Sequence, residues 1–471
     1  MKHFRLFSLF FGFWLLAGCT ADPGAESGPP GENPPAAENP HAVPVEQALE
    51  ELQSVLKEID TPTEDGAVTR SGGVRRVKSV TTVSPEALSP GGTRSEATAD
   101  VEDLLYIVNF EDEAGYAILG ADDRLEPVYA VVDEGSLTTE DFRYAVTVTP
   151  EQAEADGELV FPLQLVAQAA LGGIGTGGTG GGGNGGPITD IGIHGPGGWT
   201  PRPTLVRSET GPVTNYHHLP PQIPVNLNLH QGYPCNALCP VKNGTHCKAG
   251  CTAIAIAQVL IANYINNNSI VGSIQGTPID WSLIEKAIER PSLLAPREES
   301  EPISKEALEV ARLIREVGRL MHMEYGTTSS SGRRGRIQGV LEYVLYSGVH
   351  DWTYQFSKVR QMLFERKKTT IVCGSNTVGT KKNHAFNLDG WLERSRTTTN
   401  YYSDGSINVS THGDNLIHCN FGWGGTANGY YYYGAFDLRN GPEAGYDGED
   451  TSSSSDKYYD MELIVTYTNC P

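Results

Sequence analysis

The sequence predicts an α+β protein in two parts. Three observations carry this. The region from about 210 to 471 reads as helices first and strands later, which argues for segregated layers. A helix and a set of short strands form a smaller module before it. A glycine-dense stretch separates the two. In the larger part, residues 251–266, 280–290, 303–323, 335–347 and 356–367 read as helices, and 369–375, 384–392, 415–421, 429–437 and 460–468 as strands. The expected architecture is therefore a helical half plus an antiparallel sheet half, preceded by a small α+β module.

In chain order, Lys2 and Arg5 open a short basic start, and "LFSLFFGFWLLAG" is too short to span a bilayer comfortably. It reads as an export signal over residues 1–19. Its end, Leu16-Ala17-Gly18-Cys19, resembles the bacterial lipobox, which implies cleavage before Cys19 and lipidation of its thiol. Everything beyond would then be extracytoplasmic, held on the periplasmic or cell-surface side of a membrane by that anchor. Residues 20–44 are a Pro/Glu/Ala/Gly-rich tether expected to be disordered.

Residues 45–170 are the small module. Val45, Ala48, Leu49, Leu52, Val55 and Leu56 share one helical face, and 104–135 reads as strands with turns at 111–115 and 121–124. Residues 171–207 hold the glycine-rich connector, too high in backbone entropy to pack a core and accessible to proteases, with Arg202 and Arg207 near its end. Residues 208–471 are the larger domain. The chain of 471 residues has room for two or three such units. Its net charge of −22 argues against nucleic acid as a partner.

Eight cysteines are present. Without Cys19, an odd number remains, so in an oxidising compartment at least one thiol is unpaired and the others are expected in disulfides. Cys235, Cys239, Cys247 and Cys251 are close enough to suggest zinc, but their C-x3-C-x7-C-x3-C spacing is not that of a knuckle, and a metal would consume Cys251. His230 and His246 read as exposed loop residues, and no cofactor or metal is called for.

Cys251 is the candidate nucleophile. It follows Gly250 and opens "CTAIAIAQVLIA", a helix apolar nearly all round, whose N-terminal dipole favours thiolate. His384 begins the alternating strand "HAFNLDGW" and has a pKa suited to proton transfer. Asn420, before the turn "FGWGG", can orient an imidazole through its side-chain oxygen, with Phe421 and Trp423 as a shield.

On these residues the chain resembles the streptopain family of papain-like cysteine proteases. The matching segments are "QGYPCN", "AGCTAIAIAQV", "MEYGTTSSSG", "HAFNLDGW" and "NFGWGG", in family order over residues 231–437, and 104–135 resembles that family's inhibitory pro-domain. The resemblance implies a papain-like catalytic domain made as a secreted zymogen, with protein or peptide substrates and its own pro-domain as intramolecular inhibitor. Cys251 would be the nucleophile, His384 base and then acid, Asn420 the residue that orients His384, and Gln231 the oxyanion-hole glutamine. Ser329, Ser330 and Ser331 would line the substrate cleft together with Trp423. Four positions depart from the family pattern: Leu229 stands where a Trp is usual, Cys235 stands where a Tyr is usual, Phe421 replaces the first Trp of "NWGWGG", and Asn387 interrupts an apolar strand. Two other readings share the motifs: acyl transfer to amines, as in transglutaminases, and a non-catalytic surface binding protein on a degenerate protease fold.

Overall fold

Every buried strand position in the N-terminal module must be covered on both faces, and the chain supplies helices for both. The computed structural model describes residues 39, 41–61, 75–88, 103–148, 157–175, 204–266, 271–344, 348–352, 354–376, 383–436 and 459–466. The expected export signal with Cys19, the expected tether up to residue 38, residues 176–203 with Arg202, and Cys470 lie outside them.

The N-terminal module contains α1 (Val45–Ile59), β1 (Val77–Val83), α2 (Pro85–Leu88), β2 (Leu105–Phe110), β3 (Tyr116–Gly120), β4 (Val128–Val132), α3 (Thr139–Thr147) and α4 (Gly157–Gly175). Strand periodicity decides which helix covers which face. Tyr106, Val108, Ala117 and Leu119 pack with the buried stripe of α1, Leu52, Val55, Leu56 and Ile59. Leu105, Ile107, Tyr116 and Ile118 face the core that holds α3 and α4. Helix α3 starts in a capping box, Thr138 and Asp141 satisfying each other's backbone N–H. Helix α4 is buried at every turn from Val160 to Leu165.

The larger domain continues with β5 (Leu205–Thr210), β6 (Thr214–Leu219), the short β7 (Val241–Lys242) and β8 (Thr245–His246), and α5 (Cys251–Ile265). Next come β9 (Ser273–Ile274), β10 (Thr277–Pro278), α6 (Trp281–Glu289), α7 (Lys305–Leu320), α8 (Ile337–Tyr343), β11 (His350–Trp352) and α9 (Phe356–Arg360). The sheet half is β12 (Thr370–Asn376), β13 (Asn383–Tyr402), β14 (Ile407–Gly413), β15 (Leu416–Asn420), β16 (Gly429–Tyr432) and β17 (Tyr459–Thr466).

The two sheets are one. The strand order is β1-β2-β3-β4-β16-β15-β13-β12-β17-β11, with β5, β6 and β14 attached to β13, and the pairs are antiparallel. The seam is β4 on β16, Val132 opposite Gly429 and Ala130 opposite Tyr431. Only glycine fits at the first of these: a Cβ on Gly429 would lie 2.3 Å from the Val131 carbonyl oxygen. On one face α4 shares a core with Phe386, Trp391 and Phe421. On the other α5 packs with α6, α7, α8 and β12.

The α+β class expected from the sequence holds. Three details differ. Strand β13 runs on to Tyr402, because its second half is paired on both edges by β14 and by β5 and β6. Helix α4 reaches Gly175, into the glycine-rich run. Strand β16 stops at Tyr432, and residues 433–436 turn into a 3-10 helix.

Candidate active site

Helix α5 is apolar on every side and buried from Thr252 to Asn263, so it can only run through the middle of the helical half. That fixes its first residue, Cys251. Gly250 enters with φ 89°, a left-handed conformation that costs an L residue about 1–2 kcal/mol, and a Cβ there would lie 2.1 Å from Met323 Cε. Gly250→Ala is therefore expected to shift Cys251 by tenths of an ångström, lowering turnover roughly tenfold or more while the melting temperature falls only a few degrees.

The turn before α5 is tied to two loops. The Gln231 carbonyl accepts from Ala249 N–H at 2.9 Å, and the Leu229 carbonyl accepts from Gly424 N–H at 3.0 Å. Gln231 is thereby held near both the helix start and the glycine-rich turn. His230 is buried rather than exposed: Nε2 donates to the Leu294 carbonyl at 3.1 Å, and Nδ1 accepts from Gly232 N–H at 3.2 Å. His246 is half-buried, with Nδ1 donating to the Cys239 carbonyl at 3.1 Å.

The serine loop abuts the same point. Ser330 Oγ donates to the Lys248 carbonyl at 2.6 Å and accepts from Gly326 N–H at 3.1 Å. Ser331 pairs its main chain with Glu324, at 2.8 and 3.1 Å. Ser329 and Ser331 are exposed, whereas Ser330 is spent on holding the loop against Gly250.

Strand β13 divides the chemistry between its faces. Ala385 and Asn387 point to α5, and His384 and Phe386 point to the other core. The His384 ring stacks on Trp423 at 4.3 Å, with Phe421 stacked beyond Trp423 at 5.1 Å. Its Nε2 donates to the Phe421 main-chain carbonyl at 2.9 Å. A carbonyl only accepts, so the proton is on Nε2 and Nδ1 is the basic nitrogen. Phe161 of α4 meets the same ring edge-on at 6.2 Å.

Asn420 does not hold His384. It lies opposite Asn387 in the β13–β15 ladder and so shares the α5 face. Its Oδ1 accepts from Gln258 Nε2 at 2.8 Å and from Gly422 N–H at 3.2 Å. The acceptor the sequence assigned to Asn420 is supplied here by the next residue's backbone. Trp423 packs on His384, as a shield would. Phe161, Gln258 and the Phe421 carbonyl were not foreseen. Gln258 had a signal, an amide in the middle of an apolar stretch of helix; a backbone carbonyl has none.

Burial raises the Cys251 thiol pKa above its ordinary value, although the N–H groups of Ala385, Thr252 and Cys251 favour thiolate. Burial also lowers His384 to about 4, opposed by its bond to the Phe421 carbonyl. No hydrogen bond joins Cys251 to His384 among the described residues, and both groups are neutral near pH 7 in this arrangement. The other described cysteines, Cys235, Cys239, Cys247, Cys373 and Cys419, are buried free thiols, so the disulfides expected among them are not present in this structure. Burial pushes Cys235 and Cys239 up to about 12.

Residues 229–431 match the model of the Peptidase C10 family. Streptopain of Streptococcus pyogenes is 24% identical over 247 residues, which cover 44% of this chain and 53% of the relative. The chain thus spans about half the length of the curated relatives it matches. Among solved structures, a Cys-to-Ala mutant fragment of Prevotella intermedia prointerpain A aligns with 83% of this chain and 97% of its own, at 16% identity and a TM-score of 0.43. Active interpain A from the same organism aligns with 53% of this chain and 93% of its own, at 19% identity and a TM-score of 0.34. The matched segment holds Gln231, Cys251, His384, Asn420 and Trp423, and over it the chain is similar to the Peptidase C10, or streptopain, family.

Proposed function

We propose that the chain is a cysteine endopeptidase made as a zymogen and tethered to a membrane through Cys19. The observation that carries the peptidase reading is the convergence on α5. Cys251 heads that helix beside the Ala385 backbone, and the preceding residue, His384, has its Nδ1 free to take a proton. The S–H proton passes to Nδ1, and sulfur attacks the substrate carbonyl. Nδ1 returns the proton to the leaving amine, and a thioester remains. Water, deprotonated by Nδ1, then hydrolyses it. The Cys251 N–H and the Gln231 amide would face the oxyanion, each such donor contributing about 3 kcal/mol.

The zymogen reading is supported by α4 and β4. Residues 45–170 would be the pro-domain, with Phe161 lodged against His384 and β4 hydrogen-bonded to β16. With His384 under Phe161 and no bond to Cys251, no thiolate–imidazolium pair forms. Cleavage in the connector after α4 would begin release. Arg207 lies in β5, paired opposite Tyr401, so a cut there would require that strand to be pulled out.

The test is mass spectrometry of the reduced chain treated with the epoxide E-64, before and after brief activation, beside a Cys251→Ala control. The expected result is one adduct on Cys251 after activation, little before it, and none in the control. The five other described thiols are buried and should stay unlabelled. An activated chain that takes up no epoxide at Cys251 would overturn the reading.

A further inference from the structure

Three buried amides join the nucleophile's helix to the two strands beside it. Gln258, seven residues after Cys251, lies on the same side of α5 two turns on. Asn387 Nδ2 donates to the Ala255 carbonyl at 3.1 Å and to Gln258 Oε1 at 2.8 Å. Gln258 Nε2 donates to Asn420 Oδ1 at 2.8 Å, which also accepts from Gly422 N–H at 3.2 Å. Gln258 and Asn387 are fully buried, and Asn420 is 3% exposed.

The direction of this chain is not a free choice. A carbonyl, Ala255, closes one end and an N–H, Gly422, the other. Every amide between them must therefore point one way. Two consequences follow. The Asn420 oxygen is fully committed and cannot take the His384 N–H. Residues 420 and 422 are both pinned, so the carbonyl of Phe421 between them has a set place, reinforced by Phe421 N–H on Asn428 Oδ1 at 2.9 Å. That carbonyl is the His384 acceptor. The Asn387 oxygen has no partner among the described residues, a cost of about 1–3 kcal/mol.

We propose that Gln258 and Asn387 are positioning residues: their amide chain sets the Phe421 carbonyl relative to α5, and through it the tautomer and aim of His384 toward Cys251. This rests on the peptidase reading. The test uses the full chain after activation, with turnover counted per E-64-titrated site. Gln258→Leu is expected to lower kcat about thirtyfold or more with KM within about twofold, since misplacement on the order of 1 Å costs about a hundredfold. Gln258→Glu, protonated in mildly acidic buffer, keeps one donor and one acceptor in the same shape and is expected to restore most of the loss there. If Gln258→Leu does not fold, Gln258→Leu/Asn387→Leu leaves fewer stranded amides and carries the same expectation. Unchanged kcat per site with a lower melting temperature would reduce the amides to a structural role and overturn the proposal. So would full turnover in the double-leucine variant. Failure of the peptidase reading looks different: the wild-type chain itself would yield no Cys251 adduct, and the proposal would fall with it.

Discussion

Replacing Cys251 with alanine is expected to abolish peptide hydrolysis by the activated chain, a loss on the order of 10⁴-fold or more in kcat. No neighbouring group can take over. The described thiols around it are buried, and burial pushes the ionisation of Cys235, Cys239 and Cys373 upward. His384→Ala should cost a similar amount, and the double variant little more, because the two act as one unit. The fold should survive both changes, since Cys251 ends a helix whose burial comes from Ala253 to Ala262. Steady-state hydrolysis of a casein-derived peptide, with circular dichroism as the folding control, checks this. Residual turnover above a hundredth of wild type in Cys251→Ala would move the chemistry elsewhere.

The second large effect concerns how the N-terminal module is held. His418, in β15, is buried between two carboxylates: Nδ1 donates to Asp389 Oδ1 at 2.6 Å and Nε2 to Asp133 Oδ2 at 3.1 Å. Burial alone would lower its pKa, but Asp389 and Asp133 outweigh burial and raise it to about 10. Asp133 follows β4, and it also meets Arg75 at 3.4 Å, whose other carboxylate partner is Asp60 at 3.0 Å. Asp133→Ala thus leaves two cations near each other with one carboxylate fewer. Breaking one partner of such a buried set costs about 3–5 kcal/mol. The uncut variant is expected to label with E-64 at least tenfold faster than the uncut wild type. Asp133→Asn, which keeps an acceptor, should lie between them. The sign with pH follows from His418. It binds its proton more tightly folded than unfolded, so its contribution is complete below the ordinary histidine value of about 6.5 and lost as pH rises through about 10. Labelling of the uncut wild type should accelerate in that window, and the Asp133→Ala chain should show less of the step.

Much of this site was legible because its signals are local. An apolar helix with no glycine or proline after Gly250 places Cys251 at a buried N-terminus, and alternation after His384 marks a strand. What the sequence hid depends on register between distant segments. Asn420 and His384 are both well placed to pair when only their order is known. Once β15 is set against β13 with Asn420 opposite Asn387, Asn420 turns to the α5 face and His384 to the other. Asn387 looked like an interruption of an apolar strand; in the fold it is a link between that strand and α5. Phe161 could not be connected to His384 from sequence, since their contact spans two modules and the whole connector. Its helix, though, carries an apolar run over 159–167 that is interrupted by Gln164.

The seam between β4 and β16 also sets what happens after any cut in the connector. Severing the chain does not unzip the ladder, because Val132, Val131 and Ala130 remain bonded to Gly429, Tyr430 and Tyr431. Should the module depart, β16 becomes a terminal strand, presenting a short row of unmatched N–H and C=O groups beside tyrosines that had been dry. Such a margin templates the addition of another strand. The yield of dispersed, single-copy enzyme should therefore track how fast that margin is re-covered, by the excised module or by another extended chain, more closely than it tracks the extent of cleavage.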